Sequence, residues 1–520
     1  MRRRDLLKST PLLMTPALAR ADTRPMRFVP NANLSSIDPI WTTALVAQIH
    51  GFLSFDMLYG MDATGHVRPQ MCAGHDISAD ELTWTFTLRD GLLFHDNEKV
   101  LARDCVTSMR RWSARDSFGQ QLAAAANEID VLDDRRFRVR LKKPFRQMLY
   151  GLGARNCFVM PDRLAQTPAS EQIKEGIGSG PFRFLPGEQV SGARAAYARF
   201  DKYVPRQEPP SLYAGGKKAN FGRVEWIVQP DAATAAAALQ TGEVDWVEQP
   251  LIDLCPMLRR SPDVVVAVND PFGWQPMLQL NHLHPPFNNP KIRHALLMAL
   301  DQKNFIESMT GEQSELGQVP AGYFAEGQPM ATHAGLDVLT KPRDIEAAKK
   351  LIAGAGYRGE IVALMSPSDR PVYSQASYVA RALFQKLGMT VDFQQMDWGS
   401  LVSRRTNKNA VDQGGWSVFP TALDGITIAN PGSNFALRGG GLKAWFGWPT
   451  DERLETLRSA WFDAPDVKSQ KAIAEQIQLR ALETVPYIPL GRLFQPTAFR
   501  SDIKDIVKAA FPLFWGVRRG

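Results

Sequence analysis

Apolar and polar positions change rhythm several times along this chain, and each change marks an element. In LTWTFTLRDGLLFH (82–95), Leu82, Trp84, Phe86 and Leu88 alternate with polar residues, which predicts a strand with one buried face. Arg89-Asp90-Gly91 makes a turn before a second short strand. From about Ala102 the period becomes helical, with Val106, Met109 and Trp112 on one face. EIDVLDDRRFRVRLKKP predicts a strand, a turn at Asp133-Asp134 and a return strand closed by Pro144. Asp231 caps an alanine-rich helix that ends at Gly242, ahead of the strand EVDWVE. In FNNPKIRHALLMALD an asparagine cap precedes Pro290 at the first helical position, and Ile292, Ala295, Leu296, Ala299 and Leu300 form the buried stripe.

The helix RDIEAAKKLIAGAGY is followed by a strand from Ile361 to Met365. Next come a helix carrying Val379, Leu383, Phe384 and Leu387, and a strand TVDFQQMDW ended by Trp398. Strand–helix–strand at this spacing predicts a parallel α/β unit. Two more helices, DERLETLRSAWF and KAIAEQIQLRALETVP, precede a strand-like tail, VPYIPLGRLFQPTAF. The sum is an α/β region, a β-rich insertion, a second α/β region and a returning tail. Ligand sites in such proteins favour clefts between domains.

Length and charge narrow this picture. At 520 residues the chain exceeds a single core, so about three domains or subdomains are expected. The formal charge of +7 invites a nucleic-acid reading, but residues 1–21 carry +4 of it, leaving +3 for the rest. No Lys/Arg block with interleaved aromatics appears, which excludes a nucleic-acid partner.

The N-terminus reads as an export signal. RRRDLLKSTPLLMTPALARA has a basic start, a short apolar stretch and A-x-A spacing at Ala17/Ala19 or Ala19/Ala21. Arg3-Arg4-Asp5-Leu6-Leu7-Lys8 resembles the twin-arginine pattern of proteins exported folded. A protein soluble outside the cytoplasm is expected, with no apolar run long enough to span a bilayer. Cys72, Cys105, Cys157 and Cys255 lack C-x-x-C spacing; buried thiols and disulfides both remain open.

Candidate chemistry is sparse. His282-x-His284 is the only close histidine pair, and no third ligand lies nearby, so neither a metal nor a cofactor is expected. FHDNE reads as a polar turn before a helix. GIGSGPFRF and RGGGLKAWFGWP have the glycine density of phosphate loops but lack the helix that should follow. One segment is unusual. DQGGWSVFPTALDG (412–425) runs Gly414-Gly415 into Trp416, with glycines suited to close backbone approach and tryptophan to a large flat contact.

Five ordered segments carry a resemblance. NLSSIDP (33–39) is similar to an opening strand and L-D-P turn, and LTWTFTLRDGLLFHDNEKVLARDCVTSMRRW to the signature T-x-x-L-R-x-G-x-x-F-x-D-G-x-x-x-x-A-x-D-V. GSGPFRF, AAAALQTGEVDW and LNHLHPPFNNPKIRHALLMALDQ follow in the family's order. The chain thus resembles the extracellular solute-binding proteins of family 5, the peptide and nickel class that serve ABC importers. Asn97 replaces glycine and Cys105 valine in the signature; asparagine tolerates a left-handed backbone, and cysteine fits a small buried site.

The resemblance implies an α/β, two-lobed periplasmic binding fold of the class II type, with an extra β-rich subdomain in lobe I. Lobe I would span 22–269 with its insertion at about 50–165, lobe II 270–487, and 488–520 would return to lobe I. The protein would be a monomer that closes on a peptide-like or other small organic solute and presents it to a permease in the inner membrane, without catalysis. A metal chelate is the second ligand class, and a secreted hydrolase the competing function.

The same resemblance places Leu34, Trp274, Trp398, Arg405, Gly415, Trp416, Ser417 and Phe419 at the ligand. Relatives that bind peptides carry an aspartate after the glycine–tryptophan pair, where this chain has Phe419, which shifts the expected solute away from free-amino peptides. Arg404 and Arg405 suit a carboxylate or phosphate, or else form a solvated helix face. Trp445, Phe446 and Trp448 form an aromatic loop that lines the cleft or packs beneath lobe II. If Trp416 stacks on the ligand, Trp416→Ala weakens binding and leaves apo stability nearly unchanged.

Overall fold

The structure, a computed structural model, describes residues 24–154 and 156–520. The expected export signal at 1–21 lies outside the described residues. Two large sheets organise the rest. The first has seven strands in the order Phe182–Phe184, Arg194–Arg199, Arg223–Ile227, Met26–Val29, Trp246–Val247, Thr497–Arg500 and Val264–Ala267. The second runs Gly317–Gln318, Arg492–Leu493, Trp274–Leu280, Val418–Asp424, Val362–Pro367 and Val391–Met396, with Tyr487–Pro489 also on Trp274–Leu280. Residues 72–141 add a four-stranded antiparallel sheet to the first lobe, with Trp84, Phe86 and Leu88 buried as their alternation predicts. The class is α/β and two-lobed.

The chain crosses between the large sheets twice, after Ala267 and after Leu493. The second sheet keeps the chain beyond the expected boundary at 487, because Arg492–Leu493 pairs with Trp274 and with Gly317–Gln318. After the crossing, Thr497–Arg500 lies antiparallel to Val264–Ala267, which ties the tail back to the first lobe.

Local chemistry sets the elements that matter for the cleft. Strands Val362–Pro367 and Val391–Met396 are parallel, joined by helix Pro371–Lys386, as the strand–helix–strand spacing predicts. Asp231 accepts from the Thr234 amide, and Gly242 ends that helix at φ +77°. Asn289 accepts from the Lys291 amide with Pro290 behind it. Trp398 differs from expectation: it does not end a strand but opens helix Trp398–Arg404, because Asp397 caps that helix by accepting from Ser400. Asn97 takes φ +72°, the left-handed turn its position requires, and Cys105 is fully buried. All four cysteines are buried free thiols.

Two buried histidines make stability depend on pH. His50 shares a 3.0 Å hydrogen bond with the Tyr197 hydroxyl, and burial holds its imidazole down at about 3. His95 Nε2 lies 3.0 Å from the Gly180 carbonyl, and burial lowers it to about 4. Below the ordinary value of 6.5 the unfolded chain takes up protons that the folded chain refuses. The histidine contribution to stability should therefore be complete above about pH 6.5 and fall as pH drops towards 4, while buried Glu248, held up at about 7, acts in the opposite direction. Between about pH 6.5 and 4 the urea midpoint of the parent should fall relative to that of His95→Asn; parallel profiles for the two proteins would contradict this account.

Candidate functional site

The lobes meet around two cavities, each of about 510 Å³, within the range of small-ligand sites. The first lies where strands Met26–Val29 and Trp246–Val247 end facing the second sheet. Val29, Asn31 and Gln249 wall one side, and Trp274, Pro276 and Ala422 the other. Carboxyl ends of strands are the usual ligand-facing edge of such sheets. Arg370, preceding helix Pro371–Lys386, reaches across this seam. Its guanidinium donates to the Asn31 carbonyl at 2.5 Å, to Asn31 Oδ1 at 3.0 Å and to Gln249 Oε1 at 2.9 Å. Beside it, buried Glu248 accepts from the Asn31 amide at 2.7 Å, and burial pushes its carboxyl up to about 7.

The second cavity is built from the Pro39–Thr43 turn and residues around Trp112–Gln120 in the first lobe, facing Arg405, Arg438 and the aromatic loop in the second. The turn is held by Asp38. Its carboxylate accepts from the amides of Ile40 at 3.0 Å, Trp41 at 3.1 Å and Ile173 at 3.0 Å, and from Arg111 at 2.6 Å. Arg405 ends helix Trp398–Arg404, and only 5% of it is exposed. Its guanidinium carbon lies 4.5 Å from the Phe446 ring centroid and 5.5 Å from that of Trp445. Nε has no hydrogen-bond partner, and among the described residues no carboxylate pairs with the group. Burial lowers its pKa to about 10, the direction expected of a cation stripped of water. Cation–π contact offsets part of that penalty, so an anion entering this cavity would meet a desolvated donor fork.

The residues expected at the ligand are dispersed. Trp274 lines the first cavity and Arg405 the second. Trp398 is half-buried against Tyr373, ring centroids 5.2 Å apart, with Arg370 at 5.9 Å. Leu34 packs into the core of the first lobe, and its carbonyl accepts from Gln189 at 3.2 Å.

Of the glycine–tryptophan segment only Ala422 walls a cavity; Gly414 to Phe419 line neither. Trp416 has no exposed surface; it packs with Phe419 and Trp448 at centroid distances of 5.0 and 5.8 Å, and its Nε1 donates to the Arg405 carbonyl at 3.2 Å. Phe419 is equally enclosed. Gly415 is required by its own chain, since a Cβ there would stand 2.0 Å from the Asn409 carbonyl. Ser417 Oγ accepts from the Ala363 amide at 3.0 Å, extending the pairing beside strand Val362–Pro367. Arg404 donates to the Gly415 carbonyl at 2.9 Å, bracing the loop rather than facing solvent. Arg370, Arg438 and Trp41 escaped sequence reasoning. Arg370 alone left a sign, a cation directly before a proline that opens a helix after a parallel strand.

A family model for bacterial extracellular solute-binding proteins, family 5 (middle), matches residues 66–441. The chain belongs to that family. This family 5 protein is 36% identical over 528 residues to the probable peptide ABC transporter periplasmic-binding protein y4tO of Sinorhizobium fredii, covering 99% of both chains. It is 24% identical over 403 residues to the glutathione-binding protein GsiB of Pectobacterium atrosepticum, covering 76% of this chain and 74% of the relative. Among solved structures, the periplasmic binding protein AgaA of A. tumefaciens R10, in complex with agropinic acid, superposes with a TM-score of 0.81 at 20% identity, over 96% of this chain and 99% of AgaA. DppA of Helicobacter pylori, in complex with the peptide STSA, gives 0.79 at 21% identity over 96% and 98%. This family 5 protein is thus a solute-binding protein by sequence and two-lobed by fold.

Proposed function

We propose that this family 5 protein captures a peptide-like or other small organic solute between its lobes in the periplasm and hands the closed form to an ABC permease. The supporting observation is that both cavities are lined by residues of both lobes, so a solute bound there contacts the two lobes together. Arg370 already ties the lobes through Asn31 and Gln249. A solute held from both sides stabilises closure in proportion to its preference for the closed state, and about a 10⁴-fold preference converts a 1% population into the dominant one. The relative at 36% identity is named for peptide transport, which agrees with this ligand class.

Export by the twin-arginine route, with cleavage near Ala19–Ala21, belongs to the same reading. Arg3→Lys with Arg4→Lys should then leave precursor in the cytoplasm. The chelate alternative has weaker support, since no cluster of three or more His, Cys, Asp or Glu is present among the described residues. Native mass spectrometry of protein taken from its own periplasm should show one retained small molecule, whose removal expands the particle in solution scattering. Turnover of a peptide or ester by the purified protein, abolished by one serine or histidine substitution, would overturn the transport reading.

A further inference from the structure

The cavity beside Arg405 differs from its neighbour in charge. Arg115, Arg405, Lys408, Arg438 and Lys443 line it, and Asp116 is its single carboxylate among the described residues. Asp116 is already engaged, accepting from the Phe118 and Gly119 amides as the cap of helix Ser117–Ala125. Arg405 is buried, its Nε unbonded, and among the described residues it has no carboxylate partner. The Nε of Arg438 is likewise enclosed and unbonded. Arg115 is exposed at the cavity and donates to the Trp41 carbonyl at 2.8 Å. Lys408 and Lys443 are exposed at the same cavity. The other cavity reverses the balance: Asp231, Asp253 and Asp369 line it, and its cation, Arg370, is spent on Asn31 and Gln249.

Burying an arginine without an acid is costly, and a protein that retains one gains from it when an anion arrives. One acidic group on a solute can neutralise Arg405 or Arg438, leaving the other unpaired. Trp445 and Phe446 flank Arg405 with apolar faces that favour an organic body over a hydrated inorganic ion. A free ammonium would meet five cations and a single carboxylate, Asp116, one oxygen of which caps a helix.

We propose that the solute taken at this cavity carries at least two acidic groups, carboxylate or phosphate, on an organic body without a free ammonium. This rests on the capture reading above and names its substrate class. Arg405 makes the central charge-assisted contact, Arg438 takes the second acidic group, and the surface lysines draw the anion in from solvent.

Calorimetric titration of ligand-stripped full-length mature protein tests it. The acidic probes are isophthalate, tricarballylate, N-acetyl-aspartyl-glutamate and, as the phosphate arm, O-phospho-N-acetyl-tyrosine. Isophthalamide, Ala-Phe and Lys-Phe are the controls. At least one acidic probe should bind about tenfold or more tighter than every control, as one charge-assisted contact allows. Its affinity should weaken as salt is raised. Arg405→Met should lower that affinity about tenfold or more while leaving the melting temperature of unliganded protein unchanged or higher, since an unpaired buried charge is removed. If that variant fails to fold, Arg438→Gln should show the same loss.

Binding of Ala-Phe or Lys-Phe as tight as that of the acidic probes overturns the inference but leaves capture standing. So does an affinity for acids unchanged in both variants. Failure of every acidic probe, with a neutral or cationic molecule retained in the native mass spectrum, overturns the inference alone. Turnover without retention overturns the capture reading instead.

Discussion

Arg111→Met should cost the protein about 3–5 kcal/mol, because it strands a buried carboxylate. Asp38 and Arg111 are 2.6 Å apart with side-chain exposures of 0% and 1%. Beyond the ion pair, Arg111 donates to the carbonyls of Pro168 at 3.0 Å and Glu171 at 2.7 Å, and also to that of Thr167. Methionine supplies similar volume but no donors, so Asp38 would retain only backbone amides and three carbonyls would lose a partner. Asp38 shapes the turn that presents Pro39–Thr43 to the basic cavity, so binding should weaken along with stability. Urea unfolding should show the loss, and the double variant Asp38→Asn, Arg111→Met should recover part of it by removing the stranded charge. A single variant as stable as the parent would show that the amides alone satisfy Asp38.

Trp416→Ala should cost about 3–5 kcal/mol as well, through a cavity and lost apolar contact. The ring is wholly enclosed by Phe419, Trp448, Leu401 and Met365. Its one polar atom donates to the carbonyl of Arg405, so the tryptophan also steadies the residue that faces the basic cavity. Trp416→Phe keeps most of the volume and loses that bond, for which about 1 kcal/mol is expected. Urea midpoints ordered parent, phenylalanine, alanine would establish Trp416 as core. An alanine variant with unchanged apo stability and impaired binding would instead restore the ligand-stacking role expected from the resemblance.

The periodic segments were legible without a structure. Alternation in 82–88, the caps at Asp231 and Asn289, and the strand–helix–strand run around Phe384 each depend on neighbours within a few residues, and all appear where expected. Two α/β regions with a returning tail followed from their order, and the family resemblance implied that they form two lobes. The candidate site was far less legible. Gly415 and Trp416 look like ligand-binding residues in sequence because glycine and tryptophan serve close backbone approach and flat contact wherever they occur. The partner of that approach is Asn409 of the same loop, and the flat contact is with Phe419 and Trp448.

Sequence by itself determined the family, the α/β class, the element order and the presence of an arginine pair after Trp398. Those properties are written in local periodicity, capping chemistry and ordered motifs. Tertiary structure decided that Arg404 braces a loop while its neighbour Arg405 is buried uncompensated beside a cavity, with Arg438 from a separate segment alongside. It also decided that Arg370 bridges the lobes. Whether a charge is paired, solvated or left waiting for a ligand depends on groups hundreds of residues away. Desolvation acts through space rather than along the chain.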